Sequence, residues 1–264
     1  MPDITSSFNS SEYNPEDAYW MAELALLAYE NSAKVEEKTK SLGFTDFEFF
    51  DNKGTQGFCC SNDSTIILSF RGTEATHLED IVSDLRFIKT DGPFGEVHRG
   101  FKFALDTVWP EVEAKIKSLK DGKRLFITGH SLGAALATLA AATLSHLDIN
   151  VDAIYTFGQP KVGNKDFAKE YDKKVGKKHY RFVNNNDIVT RVPKVGYDHV
   201  GRFIYISTKG ELLYDIGFLK LEVDRIFGRI EDIGKPGSDG AKDHSMVNYL
   251  KHLKDNISVN PFDK

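Results

Sequence analysis

The chain has little cysteine and no long apolar segment. Only two of its 264 residues are cysteines, and these two, Cys59 and Cys60, are adjacent. Because adjacent cysteines rarely form a disulfide with each other, we expect neither a disulfide framework nor a zinc site. No run of apolar residues approaches the length of a membrane-spanning helix, so the sequence predicts no transmembrane segment.

Positive charge is not in excess. The chain has 34 lysine and arginine residues against 39 aspartate and glutamate residues, which gives a net charge of -5. Nucleic-acid-binding proteins usually carry a basic patch, and none stands out here, so we expect no nucleic-acid partner. Residues 1–8 lack the charged and apolar regions of a signal peptide. The sequence therefore leaves two alternatives for the compartment: the cytoplasm, or secretion after removal of a leader.

Predicted strands and helices alternate along the chain. The length and a hydrophobic content of 41% suit a single α/β domain over residues 1–264. Apolar periodicity predicts helices over 15–30, 100–119, 134–144, 164–171, 218–230 and 245–256, and the second of these is expected to be kinked or restarted near Pro110. It predicts a hairpin over 44–60, a loop over 234–240, and buried strands over 65–70, 125–128, 153–157, 180–183 and 203–207. This order predicts a central, mostly parallel sheet with an antiparallel edge and helices on both faces.

The most informative motif is Gly129-His130-Ser131-Leu132-Gly133, which lies between a predicted buried strand and an alanine-rich helix. This pattern is typical of a nucleophile elbow, a sharp strand-to-helix turn that holds one side chain at its apex. The residues two before and two after the serine must be small, because larger Cβ groups would collide at the turn. The motif marks Ser131 as a candidate nucleophile. A glycine-rich turn before a core helix is the alternative.

A serine hydroxyl is a poor nucleophile at neutral pH, so it needs a base, and the base needs an orienting acid. In folds with this elbow the chain order is serine, acid, histidine. Asp187 follows a predicted strand after the elbow and fits as the acid. Two later histidines compete as the base: His244 precedes the last helix, and His199 also suits a packed structural role. His98 precedes the serine and has the wrong order.

The tetrahedral intermediate of acyl transfer also needs hydrogen-bond donors for its oxyanion. One candidate is the backbone amide of Leu132, the residue after the nucleophile. The other should come from the end of an earlier strand, where Thr73 offers both an amide and a hydroxyl. A threonine that only caps a strand-terminal turn is the alternative.

These motifs resemble the class 3 lipase family, which is typified by filamentous-fungal lipases and also occurs in bacteria. The resemblance covers roughly residues 65–250 in the family's order. It rests on the motifs Phe70-Arg-Gly-Thr73, Asp80-Ile-Val-Ser-Asp-Leu85, Val97-His-Arg-Gly-Phe101, Gly129 to Gly133, Phe157-Gly-Gln-Pro160, Val162-Gly-Asn164, Asn186-Asp-Ile-Val189 with Pro193, His199-Val-Gly201 and Asp243-His244. The scarcity of cysteine resembles the bacterial members that lack disulfides.

The resemblance implies an α/β-hydrolase fold with Ser131, Asp187 and His244 as nucleophile, acid and base. It implies that the Thr73 side chain and the Leu132 amide bind the oxyanion, and that no metal or organic cofactor takes part. His199 matches a structural position of the family. The base is therefore expected to be His244.

Residues 74–88 directly follow the predicted oxyanion residue. An apolar stripe at helical spacing runs through Leu78, Ile81, Val82, Leu85 and Ile88. Alone, such a stripe indicates a core-facing helix. The resemblance implies a lid, whose apolar side covers an acyl groove when closed and faces a lipid–water interface when open. Many lids of the family carry tryptophan at the place of Ile81, a departure that bears on acyl-chain preference.

The sequence therefore predicts a serine carboxylester hydrolase, first of all a triacylglycerol lipase. Its expected partners are an acylglycerol or another ester and a lipid–water interface. The alternatives on the same fold are a feruloyl or other carbohydrate esterase and a phospholipase A1. A serine peptidase is less favoured, because nothing in the chain resembles an extended peptide cleft. The alternative from a different class is a ligand-binding relative without catalysis.

Overall fold

The computed structural model of the protein describes residues 4, 7–73, 88–214, 216 and 239–263. Within them the strands are β1 (Asp46–Asn52), β2 (Thr55–Ser61), β3 (Thr65–Phe70), β4 (Lys89–Asp91), β5 (Glu96–His98), β6 (Arg124–His130), β7 (Ala153–Phe157), β8 (His179–Asn184), β9 (Arg202–Ile206) and β10 (Leu212–Tyr214). The helices are α1 (Pro15–Leu27), α2 (Ser32–Ser41), α3 (Arg99–Leu119), α4 (Leu132–His146), α5 (Lys165–Lys174), α6 (Asp239–Asp243) and α7 (Met246–Asp255). Short 3₁₀ turns occur at Gly176–Lys178 and Val189–Arg191.

Eight strands form one sheet in the order β1-β2-β3-β6-β7-β8-β9-β10, and β4 pairs with β5. The central strands from β3 to β9 of this sheet run parallel to one another. Strands β1, β2 and β10 pair antiparallel at the two edges. The predicted mostly parallel sheet and its early antiparallel hairpin are confirmed. In such sheets the carboxyl ends of the parallel strands meet at one edge, which is where functional loops gather.

Two apolar layers cover the sheet. Helices α1 and α7 pack on one face, and α3, α4 and α5 pack on the other. Strands β3, β7 and β8 are buried along their whole length, as expected for parallel strands covered on both faces. Cys59 and Cys60 follow each other on β2, so they enter opposite layers, and both thiols are buried and free.

Local signals explain several helix boundaries. The side chain of Asn14 accepts hydrogen bonds from the amides of Glu16 and Asp17 and so caps α1, whose first residue is proline. A restart at Pro110, one of the two predicted possibilities, does not occur, because α3 continues through this residue. Proline removes one helical hydrogen bond, but Pro110 and Asp106, the residue whose carbonyl loses its donor, are both exposed to solvent.

Several elements of the described residues were not predicted, strand β10 and helix α6 among them. Helix α2 is almost entirely polar and buries only Val35 and Thr39, so its apolar periodicity is weak. The strands of the β4–β5 hairpin have three residues each, too few to show an alternating pattern. Helix α6 begins inside the predicted loop 234–240. The predicted helix 218–230 lies outside the described residues, and the single domain over 1–264 stays a prediction.

None of the helices among the described residues is both long and apolar enough to span a bilayer.

Candidate active site

Ser131 lies at the apex of the turn between β6 and α4, with φ 58° and ψ -125°. A residue with a side chain rarely adopts positive φ, so the surrounding structure must enforce this conformation. A Cβ atom on Gly129 would collide with the carbonyl of Gly133, and one on Gly133 would collide with the carbonyl of Phe70. The turn therefore closes only with glycine at both positions, in agreement with the predicted elbow.

Asp187 and His244 form a buried pair next to this turn. Nδ1 of His244 lies 2.9 Å from Oδ1 and 2.8 Å from Oδ2 of Asp187. The Asp187 side chain is fully buried, and His244 is 1% exposed. Asp187 follows the end of β8, whereas His244 lies between α6 and α7. The fold thus brings together an acid and a histidine that are 57 residues apart.

Two further groups donate hydrogen bonds to Asp187. The hydroxyl of Tyr249 lies 2.7 Å from Oδ2, and the amide of Val189 lies 2.9 Å from Oδ1. Burial acts to raise the pKa of Asp187, but the charge of His244 and the hydrogen bonds from His244 and Tyr249 outweigh it. The pKa is therefore held below its usual value. An ionised Asp187 requires the proton of His244 on Nδ1, which leaves the lone pair on Nε2.

Nε2 of His244 is buried and has no hydrogen-bond partner within the described part of the chain. With Nδ1 engaged by Asp187, Nε2 is the ring atom still able to accept a proton. A buried acceptor without a partner is costly in most proteins, and such atoms concentrate at functional sites.

The segment after β7 connects the elbow with the acid–base pair. The amide of Ser131 donates to the carbonyl of Phe157, the last residue of β7, over 3.0 Å. The next residue, Gly158, has φ 61°. A Cβ atom on Gly158 would lie 2.7 Å from Nδ1 of His244 and 2.8 Å from Oδ2 of Asp187. Because glycine has no side chain, this position leaves room for the Asp187–His244 pair.

His130, the residue before Ser131, also contacts His244. The two rings have centroids 4.4 Å apart, and Nε2 of His130 lies 2.7 Å from the carbonyl oxygen of His244. Nδ1 of His130 lies 2.8 Å from the hydroxyl of Tyr29. Burial, and then the charge of His244, lower the pKa of His130 to about 3. This imidazole is therefore neutral at neutral pH.

The two predicted oxyanion donors lie on opposite sides of Ser131 in the sequence. Leu132 is the first residue of α4, so its amide has no carbonyl partner inside the helix. Gly72 reaches the elbow, because a Cβ atom there would lie 3.1 Å from Cβ of Ser131. Thr73 comes next and is partly buried. The chain leaving β3 therefore passes directly over the candidate nucleophile.

Other sequence-predicted residues lie elsewhere. His199 lines a cavity of about 420 Å³ together with Lys161 and Arg181. No group of His, Cys, Asp or Glu side chains that could hold a metal ion occurs in the described ranges. The predicted lid positions lie outside the described residues: Leu78, Ile81, Val82 and Leu85.

Sequence reasoning missed the contacts of four residues around this site: Tyr29, His130, Gly158 and Tyr249. His130 and Gly158 stand inside motifs that were singled out for other reasons. Tyr249 and Tyr29 have only the pattern of apolar helix residues, and their roles depend on contacts between distant segments. The order of residues along the chain carries no signal for such contacts.

Comparison with known proteins agrees with the geometry. The family model described as lipase (class 3) matches residues 67–197. A lipase from Rhizopus microsporus var. chinensis is 30% identical in sequence, and the match covers 73% of this chain and 74% of that one with a TM-score of 0.61. The chain belongs to the class 3 lipase family. The family relationship predicted from the motifs is confirmed.

Two other relatives bear on fold and coverage. A secreted mono- and diacylglycerol lipase of Malassezia globosa is 35% identical over 157 residues, which cover 53% of this chain and 51% of that protein. The chain spans about half the length of the curated relatives it matches. The crystal structure of a mono- and diacylglycerol lipase from Aspergillus oryzae has a TM-score of 0.71 over 92% of this chain and 98% of that one. At 24% identity, this likeness shows the shared fold.

Gly158→Ala tests the fit between the β7 loop and the acid–base pair. The new methyl group would displace His244 or Asp187, and misplacement of reacting groups by 1 Å costs on the order of 10² in rate. We expect kcat on a soluble p-nitrophenyl ester to fall about 10²-fold.

Gly54→Ala is the matched control for Gly158→Ala. Gly54 also has positive φ, but no atom lies within 4 Å of the position of its Cβ. This variant should lose some stability and keep its kcat. Equal kcat values in the two variants would show that Gly158 does not shape the site.

Proposed function

We propose that this class 3 lipase relative is a carboxylic ester hydrolase with Ser131 as nucleophile, His244 as base and Asp187 as orienting acid. The observation that carries the proposal is the buried Asp187–His244 pair next to the serine turn. Nε2 of its histidine has no hydrogen-bond partner among the described residues and can take a proton. The chain order of serine, acid and histidine is also the order found in enzymes with this elbow.

The proposed reaction proceeds in two steps. Oγ of Ser131 attacks the ester carbonyl carbon while Nε2 of His244 takes its proton, and a C–O bond forms. The tetrahedral intermediate then expels the alcohol, which takes the proton from Nε2, and an acyl-enzyme remains. Water attacks the acyl-enzyme with His244 again as base. The bond between the acyl carbon and Oγ then breaks, Oγ of Ser131 takes the proton from Nε2, and the fatty acid leaves. Asp187 stabilises the imidazolium in both steps through Nδ1.

We propose that the oxyanion is bound by the Leu132 amide and by Thr73. The support is that the Leu132 amide is not used inside α4 and that the chain at Gly72 lies against Ser131. Donors that are already in place when charge develops on the oxygen cost no reorganisation during the reaction.

We propose acylglycerols as the substrate class, with mono- and diacylglycerols ahead of triacylglycerols. The support is that relatives from Malassezia and Penicillium are named mono- and diacylglycerol lipases. In this scheme residues 74–88 act as a lid that responds to a lipid–water interface. The support for a lid is the apolar stripe in the sequence and its position directly after Thr73.

The proposed roles predict which alanine variants lose the most kcat. Ser131→Ala and His244→Ala should lower kcat for a soluble ester by at least about 10⁴-fold, the scale seen when triad members are removed. Ser131→Ala should also abolish labelling by a fluorophosphonate probe. His199→Ala is the control: it should cost stability and leave most of kcat. If His199→Ala abolishes turnover in a folded protein and His244→Ala does not, the base is wrongly assigned.

Thr73→Ala should lower kcat by roughly 10²- to 10³-fold, the usual effect of removing one oxyanion donor. Thr73→Ser keeps the hydroxyl and should retain most of the rate. Both variants need stopped assays on the same soluble ester, with thermal unfolding measured alongside. Equal losses in the two variants would mean that the hydroxyl is not the donor.

The substrate class can be tested with emulsions of monoolein, diolein and triolein assayed at equal interfacial area. We expect release of oleate from the first two to exceed release from triolein, and little turnover of methyl ferulate or phosphatidylcholine. Preferred turnover of methyl ferulate would support a feruloyl esterase, and preferred turnover of phosphatidylcholine would support a phospholipase. A protein that turns over none of them and takes no probe would be a ligand-binding relative.

A further inference from the structure

His130 has a defined protonation state and a defined donor direction. The carbonyl oxygen of His244 can only accept a hydrogen bond, so Nε2 of His130, 2.7 Å away, must donate to it. The ring is neutral, so Nδ1 carries a lone pair. The hydroxyl of Tyr29, 2.8 Å from Nδ1, must therefore donate to His130. The two hydrogen bonds run in one direction, from Tyr29 through His130 to the main chain of His244.

We propose that Tyr29 and His130 are positioning residues for the base, with His130 holding the main chain of His244 and Tyr29 fixing the tautomer of His130. This inference rests on the proposed role of His244. Asp187 orients the imidazole of His244 through its side chain, whereas His130 holds the backbone that carries that imidazole. The ring of His130 also packs against the ring of His244 with an interplanar angle of 32°.

The pair also reaches the segment proposed to bind the oxyanion. A Cβ atom on Gly72 would collide with the Tyr29 hydroxyl, and the Arg71 guanidinium lies 5.6 Å from the centre of the Tyr29 ring. Tyr29 lies just after α1, outside the central sheet. The Tyr29 side chain thus contacts both the chain that leaves β3 and His130, the residue before the proposed nucleophile.

Neutrality is essential to this arrangement. A protonated His130 would place a second cation 4.4 Å, ring centre to ring centre, from the imidazolium that forms on His244 during turnover. Like charges at that separation repel strongly away from water, so the base would accept a proton less readily. The Tyr29 hydroxyl occupies the lone pair of Nδ1, the atom at which His130 would be protonated.

The chain contains a matched control for this pair. Tyr171 and His179 form the same kind of contact, with 2.9 Å between the tyrosine hydroxyl and Nδ1 of the histidine. His179 is fully buried, its pKa is also lowered to about 3 by burial, and its Nε2 lies 2.8 Å from the hydroxyl of Thr156. This second pair lies at the amino end of β8 rather than beside the elbow.

The experiment compares Tyr29→Phe with Tyr171→Phe. Each variant removes one hydroxyl that donates to a buried neutral histidine, so a purely structural role predicts similar losses of thermal stability in both. We expect only Tyr29→Phe to lower kcat on p-nitrophenyl butyrate, by roughly 10- to 100-fold with KM unchanged, because small displacements of the base are costly in rate. His244→Ala is measured in parallel, because its activity tests the proposed role of the base separately from the positioning role of Tyr29 and His130.

Variants of His130 give an independent readout. His130→Gln retains an N–H donor that can reach the His244 carbonyl, so it should keep more activity than His130→Ala. Tyr29→Phe should have less than about twofold further effect in the His130→Ala background, because the side chain that accepts the hydrogen bond from Tyr29 is absent there.

Three outcomes would overturn the proposal while His244→Ala still abolishes turnover. The first is a kcat of Tyr29→Phe within twofold of the wild type. The second is an equal kcat loss in Tyr29→Phe and Tyr171→Phe. The third, decisive if Tyr29→Phe does not fold, is equal activity of His130→Gln and His130→Ala. An active His244→Ala would instead overturn the proposed function itself.

Discussion

The backbone of Ser131 is held at positive φ, and the geometry of the whole site depends on that one constraint. An unfolded chain rarely visits this conformation at a serine, so the native contacts must stabilise it. The contacts come from the two strands that flank β6. The carbonyl of Phe70 on β3 leaves no room for a side chain at Gly133, and the carbonyl of Phe157 on β7 accepts a hydrogen bond from the Ser131 amide. Parallel pairing of the three strands therefore determines where the hydroxyl is held.

Burial of polar groups is the second constraint, and it acts on the acid and on both histidines. A fully buried carboxylate is unfavourable unless hydrogen bonds and charge offset its loss of hydration. The charge of His244 and the hydrogen bonds from His244 and Tyr249 hold the pKa of Asp187 low in spite of burial, and the Val189 amide donates a further hydrogen bond. The same burial keeps His130 neutral. One environment thus favours an ionised acid and an uncharged histidine within a few ångströms of each other.

The sequence predicts the parts of this protein that depend on neighbours along the chain. Strand β3 has the predicted bounds, and the elbow glycines are identifiable because a local turn requires them. The polar helix α2 was missed, since its few buried residues produce no apolar stripe. Helix α3 does not restart at Pro110, because the carbonyl that loses its hydrogen-bond donor belongs to a residue that is exposed to solvent.

The residues of the candidate site also differ in whether the sequence identifies them. Ser131 and Asp187 have local motifs, and the family resemblance distinguishes His244 from His199. From residue order alone both histidines remained acceptable, because the choice depends on which loop reaches the end of β8. Tyr249 and Tyr29 were not identifiable at all. In the sequence, a tyrosine in a helix or just after one looks the same whether its hydroxyl contacts a carboxylate, an imidazole or water.

The two tyrosine–histidine pairs show why local chemistry does not determine a role. Both histidines are buried, both are neutral, and both accept a hydrogen bond from a tyrosine at Nδ1. They differ in what the other ring nitrogen contacts: a threonine hydroxyl for His179 and the backbone carbonyl of His244 for His130. A hydroxyl can rotate to suit its partner, whereas a backbone carbonyl holds a chain segment in place. The pair beside the elbow therefore constrains the backbone of His244, the residue proposed as the base.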